Sequence, residues 1–251
     1  YTASEKLQIA KKHLLPRAME SAGIAPQQIH ISDGALRKII SDYTMESGVR
    51  GLKKRIDTLC RSAAVKLVKG EKTAITVGTR QLKEMLDRKP MRHDTAMKTG
   101  VPGVVTGLAW TQAGGDILFL ETMFTKGEGK IHITGQLGDV MKESVQVAIS
   151  LVKSMYPDKA DLFKEYDLHV HVPDGAVPKD GPSAGITLTT ALASLVTGKA
   201  VEPTVAMTGE VSLRGGVMPI GGLPEKLMAA VRAGIRTVMI PQDNEEDLED
   251  V

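Results

Sequence analysis

Only one cysteine, Cys60, stands among 251 residues, so no disulfide can form within the chain. That suits a reducing compartment, and the cytoplasm is the expected location. Aromatic residues make up 3%, which argues against a surface that reads nucleic acid by base stacking. The core must therefore come from Leu, Ile, Val, Ala and the 12 Met. No cluster of Cys and His has the spacing of zinc ligands, so no metal centre is expected. No apolar run reaches membrane-spanning length, and the first residues lack the pattern of a secretory signal. A further absence is positional. The six histidines (His13, His30, His93, His132, His169 and His171) all lie in the first 171 residues.

What is present falls into two parts. The formal net charge is only +2, yet residues 1–100 hold 20 basic against 10 acidic side chains and the remainder 12 against 20. A change of sign that complete indicates two domains with different surfaces. In the first part Thr2-Ala-Ser-Glu5 has capping-box spacing, and Leu7, Ile9, Ala10, Leu14 and Leu15 follow at helical intervals, with Pro16 expected to kink or divide the run. Ser32 can cap a second helix through Tyr43. A third over 49–68 buries Leu52, Ile56, Leu59, Ala63 and Leu67 and turns Arg50, Lys53, Lys54, Arg55, Arg61, Lys66 and Lys69 outward. A short strand near 74–77 and a helix over 81–87 close this part.

Residues 90–99 read as a linker, giving a helical domain over 1–89 and a second domain over 100–251. There the period changes. Strands are expected at 104–110 and 117–124, joined by a Gly114-Gly115 turn, and at 130–134. Leu168-His-Val-His-Val172 alternates strictly and puts both histidines on one strand face. Helices are expected over 140–155, 183–196 and 224–233, with strands over 205–213 and 237–240. Strands and helices mixed without βαβ repetition indicate an α+β fold.

The chemistry centres on Gly181-Pro-Ser183-Ala-Gly185. The string satisfies G-x-S-x-G, but a hydrolase elbow places its histidine after the serine, and none follows. His169 and His171 precede it and are accounted for as the polar face of a strand. A metal pair at that spacing would need a third ligand, and none stands out. Lysine can replace histidine as the base. Only Lys199 and Lys226 follow Ser183. Lys199 falls in a turn, whereas Lys226 falls in the first turn of a helix started by Pro224, where the helix dipole disfavours the ammonium. On pattern alone Ser183 is equally a helix cap or a nucleophile, whereas an isolated Lys226 reads first as a snorkelling side chain on an amphipathic helix.

These segments resemble the ATP-dependent protease family Lon. Pro178-Lys-Asp-Gly-Pro-Ser-Ala-Gly185 is similar to the surroundings of its catalytic serine, and Gly221-Gly-Leu-Pro-Glu-Lys226 to those of its catalytic lysine. Ala206-Met-Thr-Gly-Glu-Val-Ser-Leu-Arg-Gly215 lies between them, and Gly107–Thr111, His169–Pro173 and Tyr43–Leu52 extend the likeness over the whole chain. The resemblance implies a Ser183–Lys226 dyad that cleaves peptide bonds in unfolded or tagged proteins. It implies Thr208 as the residue that holds the lysine, with Asp180 and Glu121 as acidic neighbours of the site. It implies an α+β protease domain after the small helical subdomain of an AAA+ module, where Gly48-Val-Arg50-Gly supplies a sensor-2 arginine directed at nucleotide phosphates. The sequence departs from the family in having no G-x-x-x-x-G-K-[ST] loop to cradle phosphates. The chain is thus expected to be a C-terminal portion that needs no cofactor for peptide cleavage, ATP and Mg belonging to the full-length enzyme. Pro224 stands where relatives carry a charged residue, and the family pattern continues past residue 251 into a closing helix. A homo-hexamer is the implied assembly; the basic half reads first as a solvated face, with DNA, which Lon proteins bind, as the alternative partner.

Overall fold

The computed structural model describes residues 1–250, the side chain of Asp250 excepted. It separates into two compact units, Tyr1–His93 and the chain from Asp94 onward. Residues 90–99 divide between them. The Met91 N–H donates to the Asp42 carbonyl and His93 Nε2 lies 2.7 Å from the Ser41 carbonyl in the first unit, while the Ala96 N–H donates to the Ala233 carbonyl in the second.

The first unit begins with α1 (Ala3–Ile9), whose capping box from Thr2 and Glu5 forms as its spacing requires. Pro16 does divide this run, and the means is a π turn over Ala10–Leu14, in which the Leu15 N–H reaches back five residues to the Ala10 carbonyl. The wider turn lets α2 (Leu15–Ser21) start afresh with the proline in its first turn, where no N–H is needed. Ser32 caps α3 (Asp33–Asp42) by accepting the Ala35 N–H at 3.1 Å. The long α4 (Arg50–Val68) buries Leu52, Ile56, Leu59 and Ala63 completely. Cys60 is buried there too, which pushes its thiol up to about 11 and leaves it inert. The expected strand near 74–77 is β2 (Ile75–Val77). Its parallel partner β1 (Ile29–Ile31) does not show in the sequence, being three residues long and paired far along the chain. A single turn, α5 (Leu82–Met85), completes the unit.

The second unit is a mixed sheet between helices, so the architecture is α+β. Its strands are β3 (Val104–Thr111), β4 (Gly114–Lys126), β5 (Ile131–Thr134), β6 (Tyr166–His171), β7 (Val205–Met207), β8 (Glu210–Val211), β9 (Val217–Met218) and β10 (Thr237–Met239). Six of them form one sheet in the order β10-β7-β3-β4-β6-β5, and β8 with β9 forms a separate hairpin. The helices are α6 (Asp139–Met155), the single turn α7 (Leu162–Glu165), α8 (Gly185–Thr197) and α9 (Leu223–Arg232). Alternation along β4 sorts them into layers: Leu120 joins Val145, Ile149, Leu188 and Leu192 of α6 and α8, while Ile117 and Phe119 join Ala230 of α9 on the opposite face. The β3–β4 hairpin turns at Gln112-Ala113, with Thr111 opposite Gly114, so Gly114-Gly115 belongs to the strand. The expected strand over 205–213 is likewise broken, since Thr208 and Gly209 fall between β7 and β8. That break places the site.

Candidate active site

Ser183 stands in the turn before α8, whose N-cap position is Ala184, a residue without a capping side chain. The cap alternative for Ser183 therefore fails. Among the described residues its hydroxyl makes no hydrogen bond, and the N–H groups of Ser183 and Ala184 donate none. The backbone is nonetheless fixed. Gly209 donates its N–H to the Ser183 carbonyl at 2.8 Å, and Ile186 donates its N–H to the Gly209 carbonyl at 3.0 Å. Gly185 permits this approach, because a Cβ there would lie 2.8 Å from the Val211 nitrogen.

Lys226 reaches the same segment from the other face of the sheet. Its side chain is 2% exposed, and its ammonium donates to the hydroxyl of Thr208, itself 1% exposed, at 3.1 Å. Burial alone, uncompensated by any carboxylate, pulls the Lys226 pKa down to about 8. The helix begins at Leu223, one residue earlier than expected, so Pro224 is second and Lys226 fourth, with its N–H already satisfied by the Gly222 carbonyl. The sequence reading ascribed the hostile environment to burial together with the helix dipole, and in the structure desolvation by burial accounts for it. Gly115 fixes where α9 starts. A Cβ on it would fall 2.1 Å from the Glu225 carbonyl oxygen, so no other residue lets β4 pass this close to Lys226. Arg232, at the end of α9, donates to the Gly115 carbonyl at 2.8 Å and ties the helix to the same strand.

A buried lysine and an uncapped serine, each bonded to one of two adjacent residues, can be compared with known proteins as a unit. Residues 76–251 match the Lon protease (S16) C-terminal proteolytic domain, and residues 20–75 match the Lon protease AAA+ ATPase lid domain. The chain belongs to the Lon protease family. The Lon protease of Clostridium beijerinckii is 55% identical over 252 residues and that of Methanosarcina barkeri 53% over 254. Lon protease 1 of Bacillus subtilis is 48% identical over 254 residues. Each alignment covers 100% of this chain and 32–33% of the relative, so the chain spans about a third of their length.

Of the residues that the Lon resemblance singled out, Ser183, Thr208 and Lys226 converge on the Thr208-Gly209 segment. No hydrogen bond joins Ser183 to Lys226 among the described residues. Asp180 faces another way: its carboxylate accepts the N–H of Met141 at 2.9 Å, capping α6, and the N–H of Gly181 at 2.8 Å. Glu121 lies in mid-strand between Val104 and His171, without a bond to the dyad residues. Lys199 is exposed. His169 and His171 share the strand face beyond α9 as their alternation requires. Thr134 Oγ1 lies 2.8 Å from one ring and 2.7 Å from the other. One hydroxyl hydrogen serves only one ring, so the other imidazole donates. Among the described residues no group of three His, Cys, Asp or Glu could hold a metal ion, and no helix is long and apolar enough to cross a membrane.

Arg50 belongs to the first unit, exposed at the first residue of α4. There Glu46 does what Val49 cannot, accepting the N–H of Gly51 at 2.7 Å and of Leu52 at 2.8 Å. The sequence reading missed Glu46 and Gly115, whose partners become visible only in three dimensions.

Proposed function

We propose that the second unit is a serine endopeptidase in which Ser183 is the nucleophile and Lys226 the general base, acting on unfolded or tagged proteins as the proteolytic part of an ATP-dependent protease. The observation that supports this most is the burial of Lys226 against a single neutral partner, Thr208, on the segment that also holds the Ser183 backbone. A lysine with a pKa of about 8 is neutral in about a fifth of molecules at pH 7.4, against about one in a thousand for an ordinary one. Neutral Lys226 takes the Ser183 hydroxyl proton while the oxygen attacks the scissile carbonyl. The N–H groups of Ser183 and Ala184, which donate to no group among the described residues, are the donors proposed for the developing oxyanion. Lys226 then protonates the leaving amine as the C–N bond breaks. Water attacks the acyl-enzyme, giving one proton to Lys226, which returns it to Ser183 as the ester opens.

Toward a nucleotide, Glu46 takes the Gly51 and Leu52 amides at the start of α4, and the exposed Arg50 beside them would meet phosphate as a sensor-2 arginine does. ATP with its Mg ion would supply the energy for unfolding when bound elsewhere in a full-length homo-hexamer; peptide cleavage itself needs neither. Binding of DNA is a weaker extension. Arg55 turns inward to the Tyr43 carbonyl, and Lys53 and Lys66 are paired with Asp57 and Glu84.

The test is cleavage of a permanently unfolded protein, together with labelling by a serine-directed probe. Ser183→Ala should lose both while its circular dichroism matches the parent. Cleavage that persists in that variant overturns the assignment.

A further inference from the structure

The loop that leaves β6 and ends at Ser183 runs through residues 172–182 without a helix or strand of its own. A segment that long does not hold a nucleophile unless something fixes it. Lys179, four residues before Ser183, is where it is fixed. Its ammonium donates to three backbone carbonyls, those of Asp174 at 2.7 Å, Val177 at 2.9 Å and Gly135 at 3.1 Å. Two of these acceptors lie in the loop, and the third lies just past β5. The Lys179 backbone is tied to the same place, its N–H donating to the Gln136 carbonyl at 3.0 Å and its carbonyl accepting the Gly138 N–H at 2.8 Å. Asp180 completes the attachment by capping α6, in a space that exists only because residue 138 is glycine; a Cβ there would lie 2.2 Å from the Asp180 carboxyl carbon.

The two lysines near the serine are thus opposites. Three carbonyl acceptors need three N–H groups, which an ammonium has and a neutral amine lacks. Partial burial pulls the Lys179 pKa down and the Asp174 carboxylate opposes that pull, while only the charged form satisfies all three carbonyls. Lys226 has one hydroxyl partner and no such hold on its proton.

We propose that Lys179 is a positioning residue for the Ser183 nucleophile: its ammonium gathers the carbonyls of Gly135, Asp174 and Val177 and so fixes the loop that delivers Ser183 to Gly209 and Lys226. The inference rests on Ser183 being the nucleophile. It assigns Lys179 no proton transfer.

The experiment compares the full chain with K179M, K179R and S183A, using an unstructured fluorogenic peptide and backbone hydrogen exchange read by mass spectrometry. K179M should lower kcat on the order of 10- to 100-fold, as a nucleophile misplaced by about 1 Å does, with KM changed less than about threefold. Exchange should quicken in residues 172–182 and stay unchanged elsewhere. The residual activity should keep its pH inflection near 8, because Lys226 is untouched. K179R, which keeps the charge, should recover part of the rate. Should K179M fail to fold, K179R on the same readouts decides the matter. Parental kcat and unchanged loop exchange in K179M would overturn the proposal while S183A remains dead. An S183A variant as active as the parent would overturn the nucleophile assignment instead, and loop exchange would still report on Lys179.

Discussion

Replacing Lys226 with Met should abolish cleavage and make the protein more stable at neutral pH. The folded state holds an ammonium whose pKa falls from 10.5 to about 8 on burial, a penalty of about 3 kcal/mol while both states carry the proton. Met has nearly the same length and no charge to desolvate. It leaves the Thr208 hydroxyl without its partner, which costs about 1 kcal/mol. The net gain is about 2 kcal/mol, or about 4–8 °C in Tm for a unit of this size. The sign depends on pH. Below pH 8 the penalty is whole. Between about 8 and 10.5 the folded lysine gives up its proton while the unfolded one keeps it, so the parent gains stability and the variant does not. Above that range the variant should be the less stable by the lost Thr208 bond. Thermal unfolding of both proteins from pH 6.5 to 11 measures the crossing. The parent's cleavage rate should rise about tenfold from pH 7 to 9 as the lysine becomes neutral. A variant destabilised at pH 7, or a difference that does not change with pH, would refute the account of Lys226 as a buried, uncompensated cation.

Two further substitutions probe the frame. Gly115→Ala puts a methyl group 2.1 Å from the Glu225 carbonyl. It should destabilise by about 1–3 kcal/mol and lower cleavage, since the first turn of α9 must move with Lys226; a denaturant titration and a peptide assay read the two effects. Glu46→Ala strips α4 of its capping carboxylate. It should cost the first unit about 1–2 kcal/mol in chemical unfolding and leave peptide cleavage unchanged.

Local chemistry was legible in the sequence wherever partners lie within a few residues. The Thr2–Glu5 capping box, the Ser32 cap and the apolar stripe of α4 all formed where their spacing placed them. The elements misread were those whose reason lies far along the chain. β1 exists because β2 pairs with it, and Gly115 is a glycine because α9 passes over it, not because the hairpin turns there. Ser183 and Lys226 could be named by exclusion and resemblance. That Asp180 caps α6 instead of facing the lysine depends on a contact 39 residues distant, which no local pattern encodes.

The break in the strand at Thr208 and Gly209 has a mechanical consequence. Serine and lysine sit on different elements, but each is referred to one of these two consecutive residues, and the Thr208 N–H is anchored to β10 through the Met239 carbonyl. A displacement of this segment is a common-mode motion that carries both groups and preserves their separation. Under the proposed mechanism, only a differential motion, of α9 against the Ser183 loop, would alter the distance a proton must cross. The two anchors that would resist it, Gly115 under α9 and Lys179 under the loop, lie outside the proposed dyad, so its spacing would be governed by residues that never touch the proton.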